Sequence, residues 1–522
     1  MVKGSAPLSL AALLVLAPPA AARSGAAPPP PDQASSSSVR LDTGARPAAI
    51  DNAVEVSAAE RLSSFVEAQL RDDLAAMKAF RPGYPFWQHI FTIPDGSIAY
   101  GSATDGRLLA VFPTNGDWRR AANWKDRSLA SSLGSRALPR SLSDRREEVA
   151  KRLEPVAGPL LHNPTRGLFL LPNAKRYGNF LTDWGAIYER FGAPADLGLA
   201  QALIESGLNG TIRSEARAIG FCQWLSSNWN QMKRLSPHVI EGHNQTTQAP
   251  YCAAYLTVLA TKYGSFIPAL SEHHSGGTNV GRQLINGERL GGPDTRTQYF
   301  LGAELTRDIR VLAPRSYRDV YGSYGPRSFR YAEMVFGNTF TVASLRESMP
   351  QARIHAMRTR RAIPLTEVTR RTGLSADEVR RYNPALVRQV PARATLYLPR
   401  YISDFGADVG FWHRPASPAF TAALDEFVRL NVSPEDWDTP GFTAVLRGFA
   451  ERFRATKTEE GTVMATVLAY VIEDIRTSGR GAILSEFRTS AQIRRLFSAA
   501  VLERAAATAG QPETPRLSAD VD

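Results

Sequence analysis

The stretch AQALIESGLN, residues 200–209, decides how this chain is read. Ala202, Leu203 and Ile204 belong to an apolar run that predicts a helix over Leu197 to Ser206. Glu205 places a carboxylate inside that run, where its charged form is costly to bury. Downstream come Ser214 and then Ala218-Ile219-Gly220-Phe221-Cys222-Gln223, a turn rich in hydrogen-bonding groups. Desolvation beside such a turn raises the pKa of a carboxylic acid. A raised pKa lets the acid donate a proton to a departing sugar oxygen near neutral pH. The pattern therefore marks Glu205 as a candidate general acid.

Outward from this stretch, size and charge set the frame. A chain of 522 residues is too long for one hydrophobic core, so two to four domains are expected. A hydrophobic content of 43% with 21% charged residues describes a globular protein. The net charge of +12 is carried mostly by Arg. It suits an acidic polymer, whether nucleic acid, anionic lipid or anionic cell-wall glycan, with general solubility as the plain alternative. The N-terminus narrows these choices. Lys3 supplies a positive start, Leu8 to Leu16 a short apolar core, and Ala20-Ala21-Ala22 a small-residue cleavage signature before Arg23. Residues 1–22 thus read as a secretory signal peptide. Its apolar run is too short to span a bilayer, and no later segment reads as a transmembrane helix. An exported protein of the periplasm or cell envelope is expected, with no nucleic acid as partner.

Two cysteines exist, Cys222 and Cys252. In an oxidising exported setting the pair reads as a disulfide, and two separate buried thiols are the alternative. Without a nearby His pair they make a poor zinc site. His273 and His274 are adjacent on a helix and point apart. No metal and no cofactor are expected.

The fold class predicted is mainly α. Residues 23–50 (PPPPDQASSSS at their centre) read as a disordered linker. Residues 51–150 read as a mixed α/β region, with a helix from Ala58 to Phe80. Strands are predicted at Phe91-Thr92-Ile93, Ile98-Ala99-Tyr100 and Leu108 to Phe112. Trp118 and Trp124 there suit either sugar stacking or packing. Residues 178–305 read as a helical domain: Asp183 to Phe191, then the helix carrying Glu205 after Pro194, then Gln248 to Tyr263 stopped by Gly264, then Pro268 to His273. A glycine-rich turn over Ser275 to Asn279 follows. Residues 306–350 extend it with more helix. Residues 352–401 run strand, helix, helix, strand: His355 to Arg358, Leu365 to Thr372, a helix capped by Ser375 and Glu378, and Thr395 to Leu398. Residues 402–522 read as a helical C-terminal bundle for packing or docking, with helices at Phe420 to Leu430, Phe442 to Phe453, Val463 to Ile475 and Ile483 to Leu502.

The segment from Glu205 to Gln223 resembles the catalytic core of lysozyme-like lytic murein transglycosylases, including the membrane-bound type D enzymes. Those enzymes carry a Glu-Ser pair on a helix, then a Ser, then a Gly-Ala-x-Gly-Leu-x-Gln turn. Glu205, Ser206, Asn209, Ser214, Ala218, Gly220 and Gln223 match in register. Arg217 stands where the first turn glycine is usual, Phe221 replaces Leu, and Cys222 replaces a large apolar residue. The family's Tyr-Asn-Ala-Gly element corresponds to His274-Ser275-Gly276-Gly277, where His274 or Ser275 would donate hydrogen bonds to sugar instead. Tyr299 matches a later Tyr that closes the family's groove. The resemblance covers about a quarter of the chain. Residues 352–401 resemble a LysM module, a binder of N-acetylated glycans. Leu374 to Val379, Tyr382-Asn383-Pro384 and Leu396 to Pro399 carry that likeness, while Ala362-Ile363-Pro364 stands where Gly-Asp-Thr is usual.

The resemblance implies that Glu205 alone cleaves the β-1,4 bond between N-acetylmuramic acid and N-acetylglucosamine, leaving a 1,6-anhydro product. Two-carboxylate glycosidases need a second acid across the bond. Here Glu215 reads as a solvated loop charge, and Glu272, near the glycine-rich turn, is placed to approach the site but reads more readily as surface. Ser214, Gln223, His274, Ser275 and Tyr299 are the implied substrate contacts. From the residues alone, Ser214 also suits a turn, Gln223 a buried amide bonded to backbone, and Tyr299 core packing. Peptidoglycan strands, and envelope proteins beside them, are the expected partners. The alternative reading is an envelope scaffold that binds peptidoglycan with little or no catalysis.

Overall fold

The computed structural model describes residues 57–322 and 326–498, apart from 492 and 496. The expected signal peptide and linker lie outside the described residues. The protein is mainly helical with small sheets.

Helix α1 (Ala58–Phe80) opens on a reciprocal cap, in which Ser57 Oγ accepts the Glu60 N–H and Glu60 accepts the Ser57 N–H. The predicted strand at Phe91-Thr92-Ile93 is not formed. Its residues finish α2 (Trp87–Thr92) and begin the loop after it. Trp87, Ile90 and Phe91 bury one face at helical spacing, and that packing overrides the strand preference of a short apolar run. An antiparallel sheet follows in the order β3 (Asn123–Trp124), β2 (Leu108–Pro113), β1 (Ser97–Ser102), β4 (Leu160–Pro164). With α3 (Trp118–Ala121) and α4 (Leu142–Ala157) it encloses its own core of Tyr100, Phe112, Trp118, Val149 and Leu153. Trp118 is buried there, stacked on Phe112 at 4.8 Å, so it packs rather than offering a face to sugar.

The helical body begins with α5 (Gly167–Tyr177), α6 (Leu181–Arg190) and α7 (Ala195–Ser206). Every residue of α7 except Asp196 and Glu205 is buried, so this is the central helix. Gly207 ends it in a left-handed conformation. A two-stranded hairpin, β5 (Ala218–Ile219) and β6 (Trp224–Leu225), leads to α8 (Ser226–Leu235), α9 (Gln245–Tyr263) and α10 (Phe266–Ser275). The glycine-rich turn is shorter than predicted. Gly276 alone, at φ 81°, separates α10 from α11 (Gly277–Arg289). Helix α12 (Thr295–Leu312) runs through the predicted boundary at 305/306 because it packs along α11. After α13 (Pro314–Tyr321), α14 (Tyr331–Ser348) lies against α7.

The predicted strand-helix-helix-strand unit is present as β7 (His355–Arg358), α15 (Leu365–Thr372), α16 (Ala376–Tyr382) and β10 (Thr395–Leu398). Between its helices and last strand, β9 (Gln389–Val390) pairs with β8 (Ile363–Pro364), while β11 (Ala407–Asp408) extends the main sheet. Met357, Val368, Val379 and Leu396 lie in a core of their own.

The C-terminal helices α17 (Pro418–Val428), α18 (Pro440–Ala455), α19 (Glu459–Ser478) and α20 (Arg480–Thr489) pack on the helical body. Phe420, Leu424, Val467 and Leu468 join the main core. Helix α17 packs on α1 and α9, α19 on α8 and α9, and α20 on α11. The predicted helix from Ile483 to Leu502 breaks at Ser490, and its end lies outside the described residues. No helix among the described residues is long and apolar enough to cross a membrane.

Candidate active site

Glu205 stands on the last turn of α7, its side chain 14% exposed. The Tyr331 hydroxyl at the start of α14 donates to Glu205 Oε1 at 2.5 Å. Burial raises the Glu205 pKa from 4.5 to about 7, and the Tyr331 hydrogen bond works against that rise. Among the described residues, the basic group within ion-pairing distance of Glu205 is His273, whose Nε2 lies 3.8 Å from Oε1.

His273 is held in one neutral form. Trp224 Nε1 can only donate, and it donates to His273 Nδ1 at 3.2 Å. The ring proton therefore sits on Nε2, which donates to the Cys222 carbonyl at 2.9 Å. Burial lowers the His273 pKa to about 4. The ring is uncharged at neutral pH and leaves the Glu205 proton in place.

Beneath the acid lies the β5–β6 hairpin. Ser206 Oγ, adjacent to Glu205, donates to the carbonyls of Ala202 and Phe221, each at 2.9 Å, and so ties α7 to the hairpin. Gln248 on α9 accepts the Phe221 N–H and donates to the Gly242 carbonyl, both at 2.5 Å. A Cβ on Gly220 would fall 2.2 Å from Gln248 Nε2, so this position needs glycine. Cys222 and Cys252 form a disulfide that joins the hairpin to α9. Arg217 adopts φ 65°, a left-handed conformation that suits the glycine of the resembled motif better.

The sequence-predicted contacts divide into three groups. Ser214 Oγ accepts the Ala218 N–H at 2.9 Å, and Gln223 Nε2 donates to the carbonyls of Gly220 at 2.9 Å and Ile212 at 3.3 Å. Both build the hairpin on which the acid rests. His274 does reach the acid's surroundings, because its ring stacks on that of Tyr331 at 4.3 Å and 9°. Ser275 and Tyr299 are engaged elsewhere. Ser275 donates to the Ser271 carbonyl of its own helix at 2.6 Å. Tyr299, 1% exposed, has its hydroxyl 2.6 Å from Ser271 Oγ within the core.

Glu272 corrects a sequence expectation. It is 3% exposed rather than on the surface, and it is bonded by Lys262 at 3.1 Å and Arg480 at 2.8 Å. Glu215 is exposed. Neither offers a second carboxyl beside Glu205.

Burial raises the pKa of four other acids among the described residues; Glu189 and Asp196 lie beside Arg346, which opposes the rise, and the remaining two are pushed further. Asp73, pushed to about 6 by burial, accepts from Ser265, from the Phe266 N–H at the start of α10 and from Arg296, so it is spent on capping and pairing. Glu241, pushed to about 7 by burial, accepts from Thr247 at 3.3 Å, where that hydroxyl also meets Tyr397 of the strand-helix-helix-strand unit. Glu205 differs from both in combining a near-neutral pKa with a phenol donor, an uncharged histidine and the hairpin motif. Tyr331 and His273 have no readable sequence signal as parts of this site. Tyr331 lies 126 positions from Glu205, at the start of α14. The sequence matches no protein-family model, and a search of the curated proteins returns no match.

Proposed function

We propose that this chain is an exported peptidoglycan lytic transglycosylase with Glu205 as its single acid and base. The observation that carries the reading is a sheltered carboxyl with a pKa of about 7, held by a phenol rather than clamped by a cation. Glu205 gives its proton to the glycosidic oxygen between N-acetylmuramic acid and N-acetylglucosamine as the C1–O bond breaks. The resulting carboxylate takes the proton of the muramoyl 6-hydroxyl as O6 bonds to C1 and closes the 1,6-anhydro ring. The proton returns to Glu205 and no water is consumed. Tyr331 supports the anion between the two steps, since a hydrogen bond to a carboxylate is stronger than one to the neutral acid.

Several features support the wider reading. Glu272 is committed to Lys262 and Arg480 and Glu215 is exposed, which favours a one-carboxylate route. The helical body around α7 and the hairpin suits a lysozyme-like catalytic domain. The unit from β7 to β10, with its own core, suits a LysM-type glycan binder. The Cys222–Cys252 bridge suits an oxidising compartment.

Purified protein incubated with murein sacculi tests the proposal. Wild type should release anhydro-muropeptides and Glu205→Gln should release none. Reducing-end products would replace transglycosylation with hydrolysis. Binding by wild type without any product would favour the scaffold reading, toward which Arg217 in its left-handed turn position points.

A further inference from the structure

We propose that Tyr188 and Gln201 are positioning residues that form, with Tyr331, a buried donor chain behind Glu205 and so govern how readily it loses and regains its proton. The inference concerns the acid itself; it rests on the reading above only for the use to which the acid is put.

Spacing along α7 is the first observation. Gly198, Gln201 and Glu205 stand at i, i+3 and i+7, on one face of the helix. Tyr188 of α6 covers the Gly198 end of that face. A Cβ on Gly198 would fall 2.1 Å from Tyr188 Cδ1, so glycine is what lets the ring lie there.

Unspent hydrogen-bonding capacity is the second. Tyr188 is 0% exposed and Gln201 1% exposed. Among the described residues, the Tyr188 hydroxyl has no hydrogen-bond partner, and the Gln201 side chain hydrogen-bonds a phenol hydroxyl. Buried donors without partners are rare because each loses its water and gains nothing. Tyr188 is such a donor, and it lies near the hydroxyl that Gln201 already bonds. That hydroxyl is Tyr331 Oη, whose polar neighbours besides Glu205 are Gln201 and Tyr188.

The chemistry follows from the proton count. Tyr331 has one proton and gives it to Glu205 Oε1. Its oxygen keeps two lone pairs, enough for the Gln201 amide and the Tyr188 hydroxyl. When Glu205 is ionised, the Tyr331 proton is drawn toward it and the phenol oxygen becomes a better acceptor. The Gln201 bond then tightens and the Tyr188 hydroxyl is drawn toward that oxygen. When Glu205 is protonated the pull relaxes. The chain therefore favours the carboxylate and opposes the burial that favours the acid.

Other groups around α7 are otherwise engaged. From α10, His273 is neutral and bonded to Cys222, and His274 stacks on Tyr331. On α9, Tyr251 meets Ser236, Tyr255 packs on Trp224, Lys262 holds Glu272 and Asp438, and Tyr263 donates to Glu272. At the far end of α7, Asp196 pairs with Arg346 of α14. On α6, Asp183 is bonded to His413 and Arg190 to Glu460, and Glu189 lies near Arg346 and Asp196. Glu333 of α14 accepts from Trp87.

The test is the titration of the Glu205 carboxyl, followed by carbon-13 NMR on protein labelled at glutamate carboxyls, with Glu205→Gln identifying the resonance. Tyr331→Phe should raise the midpoint by roughly one pH unit. Gln201→Met and Tyr188→Phe, both close to the parent in shape, should each raise it by less, and by nothing further in the Tyr331→Phe background. Equal shifts with and without Tyr331, or no shift from either inner variant, overturn the chain. Should Gln201→Met fail to fold by circular dichroism, Tyr188→Phe, which removes one oxygen, decides alone. Sacculi left uncut by a protein that shows the coupled shifts would end the glycan reading and leave this inference standing.

Discussion

Replacing Glu205 by glutamine should stabilise the protein, by an amount that depends on pH. Glutamine has nearly the same shape and keeps an oxygen for the Tyr331 hydroxyl, but it has no proton to lose. In the native protein, burial raises the Glu205 pKa from 4.5 to about 7, whereas the unfolded chain returns it to the ordinary value. Below pH 4.5 both states hold the proton and the group contributes nothing to pH dependence. Between 4.5 and about 7 the native state holds a proton that the unfolded state has released, so native stability falls as pH rises. Above that window both states are ionised and the native state bears the whole cost. At about 1.4 kcal/mol for each pH unit, the cost comes to roughly 3 kcal/mol. The side chain is only 14% exposed, so solvent screens little of it. Urea-unfolding midpoints of wild type and Glu205→Gln, compared at pH values from about 4 to 9, measure the difference. The variant's advantage should open between pH 5 and 7 and level off above about pH 8. An advantage that is constant across the series, or that shrinks as pH rises, would refute the claim that Glu205 is a desolvated, cation-free acid.

Three further outcomes are expected. Lys262→Met leaves the buried carboxylates of Glu272 and Asp438 sharing Arg480 alone, and should cost about 3–5 kcal/mol in urea unfolding; a loss below about 1 kcal/mol would contradict it. Reducing the Cys222–Cys252 bridge, which closes a 30-residue separation, should cost roughly 3 kcal/mol and lower the Tm in dithiothreitol; an unchanged Tm would contradict it. Gly198→Ala drives a methyl into the Tyr188 ring and should cost about 1–3 kcal/mol by thermal unfolding; a neutral result would mean that the ring does not lie against α7 as described.

What the sequence made legible was local. The strand-helix-helix-strand unit could be read because its signals act within a few residues: Gly373 ends α15 in a left-handed conformation, and Ser375 and Glu378 cap α16 reciprocally. Glu205 could be read because a lone acid in an apolar run stands out whatever surrounds it. The strand reading of Phe91 to Ile93 failed because a short apolar run fits either period, and the burial of Trp87, Ile90 and Phe91 on one face decides between them. Ser214 and Gln223 have the right chemistry to touch a substrate, but the same hydroxyl and amide close a tight hairpin, and the backbone takes them first. Glu272 resembled a surface charge until Arg480, 208 positions away, arrived beside it. Tyr331 was hidden for the same reason. Which phenol meets a buried acid is settled by helix packing across the chain, and no spacing near Glu205 encodes it.

The C-terminal helices contribute more to the site than a docking bundle would. Trp224, which fixes the His273 tautomer, stacks on Tyr470 of α19 at 5.9 Å. Glu272, next to His273, is bonded by Arg480 at the start of α20 and by Lys262, which in turn holds Asp438 in the loop before α18. Arg480 also holds Asp474 of α19. The last turn of α10 is thus gripped from α9 through Lys262 and from α20 through Arg480, which α19 holds in turn. It carries His273, which touches Glu205, and His274, which stacks on Tyr331. A buried cluster of charges is a poor source of stability, since apolar residues of the same volume often serve as well or better. What apolar residues cannot supply is direction. Charge-assisted hydrogen bonds fix angles as well as distances. The one-acid route proposed above needs that fixity, because a single carboxyl can serve both of its steps only if the groups that hold it stay in one orientation while its charge changes.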